Sequence, residues 1–534
     1  MSTYLYSCSE KFFPWLLFPH IRTSAVGRAM RAFRAKAGAH GTPYITCSLR
    51  LLTVICPLML IACTVGPDYR RPHSVTAAKF KELKGWKQAQ PRDHELPGKW
   101  WQIFKDPYLS ELEEQVNIAN QSIAQAEAQY RQSQSLVQSA AAAYFPTATA
   151  TASVNRFRAA SGQNVAVRGV KYLFSAALST AWEPDLWGGI RRQVESSETG
   201  AQASAATLQA LRLSTQATLA QDYFQLRALD AQIKLLNDTV EAYAKTLKIT
   251  QNRYAAGIAA KSEIVQAETQ LESAQAQAIN LGVQRTQLEH AIAILIGKAP
   301  AELSIAIAPL NTLLPPIPVS IPSQLLERRP DIAAAERQAA AANALIGVAK
   351  AAYFPTLSLA ANNGTQANQF SDLLTSAARY WALGPAALAL PLFDGGARGA
   401  QMQQAIDAYD ASVAAYRQAV LVSFQEVEDN LAALQILEQE LQVQNKAVES
   451  AHKAIQLTTN QYKAGTVSYL NVMIDQAAAL ANEKAAVDLQ GQRLSAAVLL
   501  VKALGGGWNV SELPSQDEVG GEVKWSQFLP VPVK

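Results

Sequence analysis

The sequence predicts a mixed α+β membrane protein, in which a β-barrel assembled from several chains continues into a tube of long α-helices. Three patterns predict this fold class. The chain contains two copies of one unit, long stretches carry an apolar residue at every seventh position, and short stretches alternate polar and apolar side chains. Seven-residue repeats are typical of helices packed along a supercoiled seam, and strict alternation is typical of strands with one apolar face.

The internal repeat is visible in paired motifs that keep the same order. Ala-Ala-Tyr-Phe-Pro-Thr occurs at 142–147 and again at 351–356, 209 residues later. Leu-Trp-Gly-Gly at 186–189 corresponds to Phe-Asp-Gly-Gly at 393–396. A third pair consists of two glycine-terminated turns, from Tyr254 to Gly257 and from Tyr462 to Gly465. Because this spacing is far longer than a solenoid period, the chain consists of two similar halves arranged about a common axis.

The first 63 residues have the pattern of a lipoprotein signal. An apolar run at 51–62 follows several basic residues and ends at Cys63. A run of about 12 residues is too short to span a bilayer, and a basic flank before a short apolar core is typical of a signal peptide. We therefore predict a signal peptide at 1–62 and acylation of Cys63. The alternative is an ordinary secretory signal, and translation could start at Met1 or Met30.

Charge and motif content argue against several function classes. Seven of the 47 Lys and Arg residues, but one of the 43 Asp and Glu residues, precede Cys63, so the remaining chain has a formal charge of −2. Nothing in this balance indicates nucleic-acid binding. The chain lacks the H-E-x-x-H, phosphate-loop and G-x-S-x-G motifs. We predict no enzyme activity, no cofactor and no metal site, and we interpret Asp331 and Glu336 as structural charges.

Helices are predicted in both halves. Residues 100–143 open with turn signals and continue as one helix. Heptad repeats then run to Tyr254 in the first half and to Tyr462 in the second. The second repeat, from 396 to 462, predicts a rod about 100 Å long. Each rod ends at a glycine, and return helices at 261–297 and 468–505 complete two antiparallel hairpins.

The strands are predicted between the helices. Residues 147–155 and 356–359 alternate polar and apolar side chains, and return strands follow at 173–182 and 380–393. Aromatic residues flank these segments, which is the signature of a transmembrane β-barrel. Pro385 argues against an ordinary strand in the last segment. The alternative is a soluble antiparallel sheet, which a lipoprotein signal disfavours because it directs the chain out of the cytoplasm.

Four strands cannot close a barrel, and an open strand edge in lipid is very costly. Two chains would supply eight strands and three chains would supply twelve. Eight strands leave an interior that side chains largely fill, whereas twelve leave room for a channel. The long helices, which must also form a tube, favour three chains.

Several motifs resemble one family, the outer-membrane factor lipoproteins of efflux systems (the NodT-type, TolC-like proteins). The matching segments lie in order along nearly the whole chain after the signal, at 63–72, 100–109, 322–347, 351–355 and 503–508. The resemblance implies a homotrimer with a twelve-stranded barrel in the outer membrane and a helical tube in the periplasm. Such a trimer is the exit duct of a tripartite pump for small molecules such as drugs.

The resemblance also implies partners and a location. These are a periplasmic adaptor protein, an inner-membrane transporter of the resistance–nodulation–division type, and the lipid of the cell outer membrane, in which the chain is anchored. Two alternatives stay open. One is the channel of a type I (ABC-driven) secretion system, and the other is a lipid-anchored periplasmic coiled-coil protein. The sequence identifies neither the cargo nor the particular pump.

The resemblance assigns roles at the two glycine turns. By this comparison Tyr254, Gly257, Tyr462 and Gly465 contact the adaptor at the periplasmic tips. The helix after the second turn narrows the closed pore.

The residues assigned to this gate are Leu470, Asn471, Ile474 and Asp475. In relatives the gate aspartates align with Asn471 or Ile474, so that Asp475 is displaced by one position, or about 100° around the helix. Leu470 and Ile474 lie four residues apart on one face and could form an apolar constriction instead. The sequence leaves open whether the gate is acidic or apolar.

Six segments follow from these patterns. They are the signal peptide at 1–62, a lipidated segment at 63–99, a first repeat at 100–300, a linker at 301–330, a second repeat at 331–509 and a C-terminal tail at 510–534, to which no role is assigned.

Overall fold

The computed structural model describes residues 64–74, 79–82, 98–158, 170–311, 313–315, 317 and 326–521. All of them belong to the compact unit that begins at Ala62. The predicted signal peptide, Cys63 and residues 522–534 of the predicted tail lie outside the described residues.

The two halves of the described chain repeat the same order of elements. The first half contains α1 (Pro107–Ala119), α2 (Gln121–Ala141), β1 (Thr147–Arg158), β2 (Val170–Trp182), α3 (Gly189–Ala255) and α4 (Lys261–Leu295). The second contains α5 (Pro330–Ala351), β3 (Thr356–Ala367), β4 (Arg379–Ala389), α6 (Ala397–Lys463), α7 (Tyr469–Ala503) and the short α8 (Gln516–Gly520).

The long helices have equal lengths in the two halves. Both α3 and α6 contain 67 residues, and both return helices, α4 and α7, contain 35. At about 1.5 Å per residue, each long helix extends about 100 Å, as the heptads predict for the second half. No helix in the described part of the chain is long and apolar enough to cross a membrane.

The prediction of one helix through residues 100–143 is wrong, because the chain breaks at Asn120. Asn120 has extended backbone angles, and its side-chain oxygen accepts a hydrogen bond from the backbone N–H of Ile123 at 3.0 Å. Its amide group donates to the carbonyl oxygen of Leu295 at 2.8 Å. Asn120 therefore caps α2 and ties the start of α2 to the end of α4.

The four described strands form one antiparallel sheet in the order β1-β2-β3-β4. Pairing of β2 with β3 joins the two halves of the chain. Strand β3 extends to Ala367, beyond the predicted end at 359, and β4 ends at Ala389, before the predicted end at 393. Pro385 lies on the edge strand β4, close to a register shift between Leu359 and Ala361. An edge position beside a register shift tolerates the missing N–H of proline.

The sheet has one apolar face and one polar face. Cross-strand partners on the apolar face include Ala150 with Leu178, Val154 with Phe174 and Leu357 with Leu388. Partners on the polar face include Thr149 with Ser179 and Ser153 with Ser175. The large apolar side chains Val154, Leu178, Trp381, Leu383 and Leu388 are exposed in the single chain. This face is suited to contact lipid.

The main core lies where α1 meets the middle of the long helices. Its buried members include Trp100, Trp101, Leu109, Phe224, Leu431 and Val501. We call residues 299–311, which follow α4 and pack on the first hairpin, the belt. Arg227 donates to the carbonyl oxygen of Ala306 at 2.7 Å, and the backbone N–H of Ala308 donates to Asp230 at 3.3 Å. A buried ion pair between Asp230 and Arg285 (2.7 Å) completes this attachment.

Glu113 on α1 is fully buried, and neither carboxylate oxygen finds a hydrogen-bond partner among the described residues. Burial raises the pKa of Glu113 well above its usual range. A group whose pKa is raised by folding makes its full contribution to the stability of the folded protein at a pH below its pKa in the unfolded chain. That contribution is lost as the pH rises through its pKa in the folded protein.

We therefore expect Glu113→Gln to raise the unfolding temperature of the detergent-solubilised protein at alkaline pH and to leave it unchanged near pH 4. The measurement is thermal unfolding followed by circular dichroism across this pH range. If the unfolding temperatures of the wild type and the variant depend equally on pH, Glu113 does not have a raised pKa.

Candidate gate and docking turns

Two tight turns connect the long helices to the return helices. Gly257 and Gly465 adopt φ values of 73° and 78°, a region that favours glycine because it has no side chain. The backbone N–H of Ile258 donates to the carbonyl oxygen of Arg253 at 2.9 Å, and Thr466 donates in the same way to Gln461 at 3.0 Å. Both helices thus end in the same glycine-dependent cap.

The turn glycines lie in open space. A side-chain carbon added at Gly257 or Gly465 would meet nothing within 4 Å. Tyr254, beside the first turn, is 46% exposed, and Ile258 is also exposed. Three of the four predicted docking residues are therefore on accessible turns or next to them.

The fourth, Tyr462, lies in a different environment from its repeat partner Tyr254. Tyr462 is 2% exposed, and its ring centroid is 5.6 Å from that of the buried Tyr469. Its position makes it a packing residue between the two hairpins in the single chain. The adaptor contact assigned to Tyr462 stays a prediction.

Polar contacts around Tyr462 join the two hairpins. Its hydroxyl group donates to Glu263 Oε2 at 2.9 Å, and Arg253 Nη1 donates to the Tyr462 carbonyl oxygen at 2.6 Å. The Arg253 guanidinium lies 4.4 Å from the centre of the Tyr462 ring, within range of a cation–π contact. We call Arg253, Glu263 and Tyr462 the tip cluster. It connects the ends of α3 and α6 with the beginning of α4.

Burial, and to a lesser extent the hydrogen bond to Glu263, raise the pKa of the Tyr462 hydroxyl above its ordinary value. The group therefore stays protonated and donates its hydrogen bond throughout the physiological pH range.

The four predicted gate residues divide into two groups on α7. Leu470 and Ile474 are 50% and 57% exposed, and Asn471 is exposed beside them. Asp475 is half-buried and accepts a hydrogen bond from the Thr458 hydroxyl group on α6. The carboxylate is thus directed at its own hairpin, whereas the two apolar side chains project from it. The gating role of all four residues stays a prediction.

Sequence reasoning missed Arg253 and Glu263 as functional candidates. Their repeat counterparts are Gln461 and Asn471, 208 residues further along. The two halves therefore differ in charge at the two positions that contact Tyr462. Within the described part of the chain, no group of three or more His, Cys, Asp or Glu residues could hold a metal ion.

A second notable region lies at the opposite end of the long helices, where the described chain begins. The backbone N–H of Val65 donates to the Trp187 carbonyl oxygen at 3.0 Å, and Asp68 pairs with Arg192 at 2.7 Å. Trp187 stacks on Phe354 with a centroid distance of 4.8 Å. Residues 64–68 are therefore fixed at the aromatic junction between the sheet and the long helices.

Comparison with known proteins identifies the family. The profile of the outer membrane efflux protein family matches the chain twice, over residues 112–298 and 321–506. The chain belongs to this family. The pyoverdine export outer membrane protein OpmQ of Pseudomonas aeruginosa is 33% identical over 420 residues, which are 77% of this chain and 87% of OpmQ.

Two further comparisons cover more of the chain. The toluene efflux pump outer membrane protein TtgC of Pseudomonas putida is 30% identical over 469 residues, or 86% of this chain and 95% of TtgC. The solved structure of the outer-membrane channel OprN superposes with a TM-score of 0.78 at 32% identity, covering 84% of this chain and all of OprN.

These findings confirm several predictions from the sequence. The chain has the fold of the trimeric outer-membrane efflux channels, with four strands, long helical hairpins and an internal repeat. It is an outer-membrane exit duct that extends into the periplasm. The family is one of transport channels rather than of enzymes.

Proposed function

We propose that three copies of this chain form the exit duct of a resistance–nodulation–division pump, closed at its periplasmic tips until an adaptor protein binds. The observation that carries the proposal is the amphipathic sheet. Its apolar face is exposed, and β1 and β4 are its two edges. An unpaired backbone polar group in lipid costs several kcal/mol, so β4 of one copy must pair with β1 of the next.

The tip cluster supports a closed resting state. The contacts of Tyr462 with Glu263 and Arg253 hold the two hairpins together at their ends. Polar contacts near a surface stabilise by about 1 kcal/mol each, so they can separate without unfolding the helices. In the closed trimer, Leu470 and Ile474 from three copies form an apolar constriction. An adaptor that binds the open arrangement more tightly shifts the equilibrium towards it.

The adaptor binds at the turns that contain Gly257 and Gly465. Both turns project beyond the helix ends, and the exposed side chains of Tyr254 and Ile258 lie at the first of them. Aromatic side chains are enriched at protein interfaces. The adaptor in turn connects the duct to an inner-membrane transporter.

The lipid anchor is Cys63. The next residue, Thr64, packs against Gly188 and accepts a hydrogen bond from Arg191 at 3.0 Å. Thr64, which follows the proposed anchor in the sequence, therefore lies at the junction of sheet and helices. This placement suits insertion into the inner leaflet of the outer membrane.

The cargo consists of small molecules, including drugs. Relatives of similar identity are named for two different cargoes, pyoverdine and toluene. A duct whose wall contacts solutes weakly can serve both, because the transporter then selects the cargo.

The experiment that tests the function uses bacteria that lack their own efflux channel but retain the adaptor and the transporter. Expression of this chain should raise the minimal inhibitory concentration of pump substrates by several fold. A variant that deletes residues 254–258 should be inserted in the membrane and inactive. If expression of this chain leaves the minimal inhibitory concentration at the value of cells without a channel, the proposed function is wrong.

Opening of the tip should follow from loss of the tip cluster. We expect the double variant Tyr462→Phe with Glu263→Gln to raise the mean single-channel conductance in planar bilayers, because the hydrogen bond between the hairpins is removed. Tyr254→Phe, at the matching position of the first repeat, should leave conductance unchanged. Equal conductance in the wild type and the double variant would exclude a closing role for the cluster.

The anchor should add to membrane attachment without being necessary for it. Cys63→Ser should stay in the membrane fraction after carbonate extraction, because the sheet holds the trimer in lipid. Metabolic labelling with palmitate should be lost in this variant and retained in Cys56→Ser. Release of Cys63→Ser into the soluble periplasm would contradict the barrel.

A further inference from the structure

A cavity of about 680 Å³ lies between the four long helices near the middle of the hairpins. It is lined from both halves of the chain. Its lining includes five pairs of residues that are 208 positions apart: Gln225 with Ala433, Leu229 with Leu437, Gln284 with Gln492, Gln287 with Ser495, and Leu288 with Ala496. Equivalent faces of the two hairpins therefore share the cavity. In a ring of repeated hairpins, only the inner and the outer surfaces have this property.

The position of the belt shows whether the cavity lies on the inner or the outer surface of the tube. On α3, Leu229 and Gln232 line the cavity. Arg227 and Asp230, which hold the belt, lie on the opposite side of the helix at about 100° per residue. A segment that crossed the inner surface would obstruct the duct, so the belt is outside. The cavity is therefore part of the inner wall.

The heptad pattern of α7 agrees with this placement if Ile474 belongs to the proposed gate. Asp488 lines the cavity and lies 14 residues, or two heptads, after Ile474. In supercoiled helices, residues separated by whole heptads keep the same face. Asp488 thus continues the surface on which the exposed gate residue Ile474 stands.

Asp488 carries the only formal charge among the described residues that line the cavity. The other polar members are Gln225, Gln232, Gln284, Gln287, Asn430, Gln492 and Ser495. Asp488 is half-buried and accepts a hydrogen bond from the Gln232 amide group across the groove between α3 and α7. At Gly491, one turn further, an added Cβ would lie 2.9 Å from Ala228. Close packing of the two helices therefore fixes the position of the carboxylate.

We propose that Asp488 is a charge-selecting residue of the inner wall, which favours cationic over anionic solutes midway along the duct. The inference rests on the proposed trimeric duct, in which three Asp488 carboxylates surround one water-filled passage. A ring of like fixed charges lowers the energy of counter-ions there and raises that of ions of the same sign. The repeat counterpart of Asp488 is Asn280, so the charge is particular to the second half.

Selectivity is measured as the reversal potential of the reconstituted trimer in planar bilayers under a KCl gradient. Asp488→Asn retains a hydrogen-bond acceptor for Gln232, and we expect it to shift the reversal potential towards zero. Asn280→Asp introduces a carboxylate at the matching position of α4, and we expect the opposite shift. Asn280→Asp thus reports whether a charge at this level of the wall affects selectivity, and a purely structural role of Asp488 would leave the potential of Asp488→Asn at the wild-type value.

The matched control is Glu241→Gln. Glu241 is exposed and pairs with Lys245 on α3 at 2.6 Å, two heptads after Arg227 and thus on the belt side. It should leave the reversal potential unchanged, although it removes the same charge. If Asp488→Asn conducts with the wild-type reversal potential, the inference is wrong and the duct stands. If neither the wild-type protein nor the double variant Tyr462→Phe with Glu263→Gln passes current, the duct itself is refuted, and the inference with it.

Discussion

The need to satisfy backbone hydrogen bonds in lipid determines the architecture of this protein. Strands β1 and β4 are the two edges of a sheet whose apolar face is exposed, and neither edge can remain unpaired in a membrane. Chains must therefore combine, and each contributes one third of the cylinder. The long helices of the two halves both contain 67 residues. Equal lengths are expected where repeated hairpins stand side by side in one tube.

The two repeats have the same backbone architecture, and they differ in the side chains at several equivalent positions. The two glycine caps are the same in backbone conformation. Beside them, Tyr254 is exposed while its counterpart Tyr462 is buried in the tip cluster. Asn280 and Asp488 differ in charge at matching positions of the return helices. In the proposed trimer, these differences give a ring of similar hairpins distinct docking, closing and selecting positions without any change in the path of the main chain.

Most helix and strand positions could be predicted, because heptads and polar–apolar alternation are local patterns. The failures also have local causes. At Asn120 a capping side chain interrupts a continuous helical pattern. The far half of β3, up to Ala367, contains Ala-Ala-Asn-Asn-Gly and lacks alternation. It is a strand because β2 and β4 supply its hydrogen bonds on both sides, which the sequence of β3 does not encode by itself.

The sequence by itself determined the repeat, the length of the second long helix, the amphipathic strands and the glycine turns, since each depends on residues close together in the chain. The tertiary structure decided which side chains meet across those elements. It directs Asp475 to Thr458 on the neighbouring helix, brings Glu263 to Tyr462 from 199 residues away and places Asp488 in the cavity between the long helices. Neighbouring residues of a helix point about 100° apart. The direction in which a given side chain points is therefore fixed only by the packing of one helix against another.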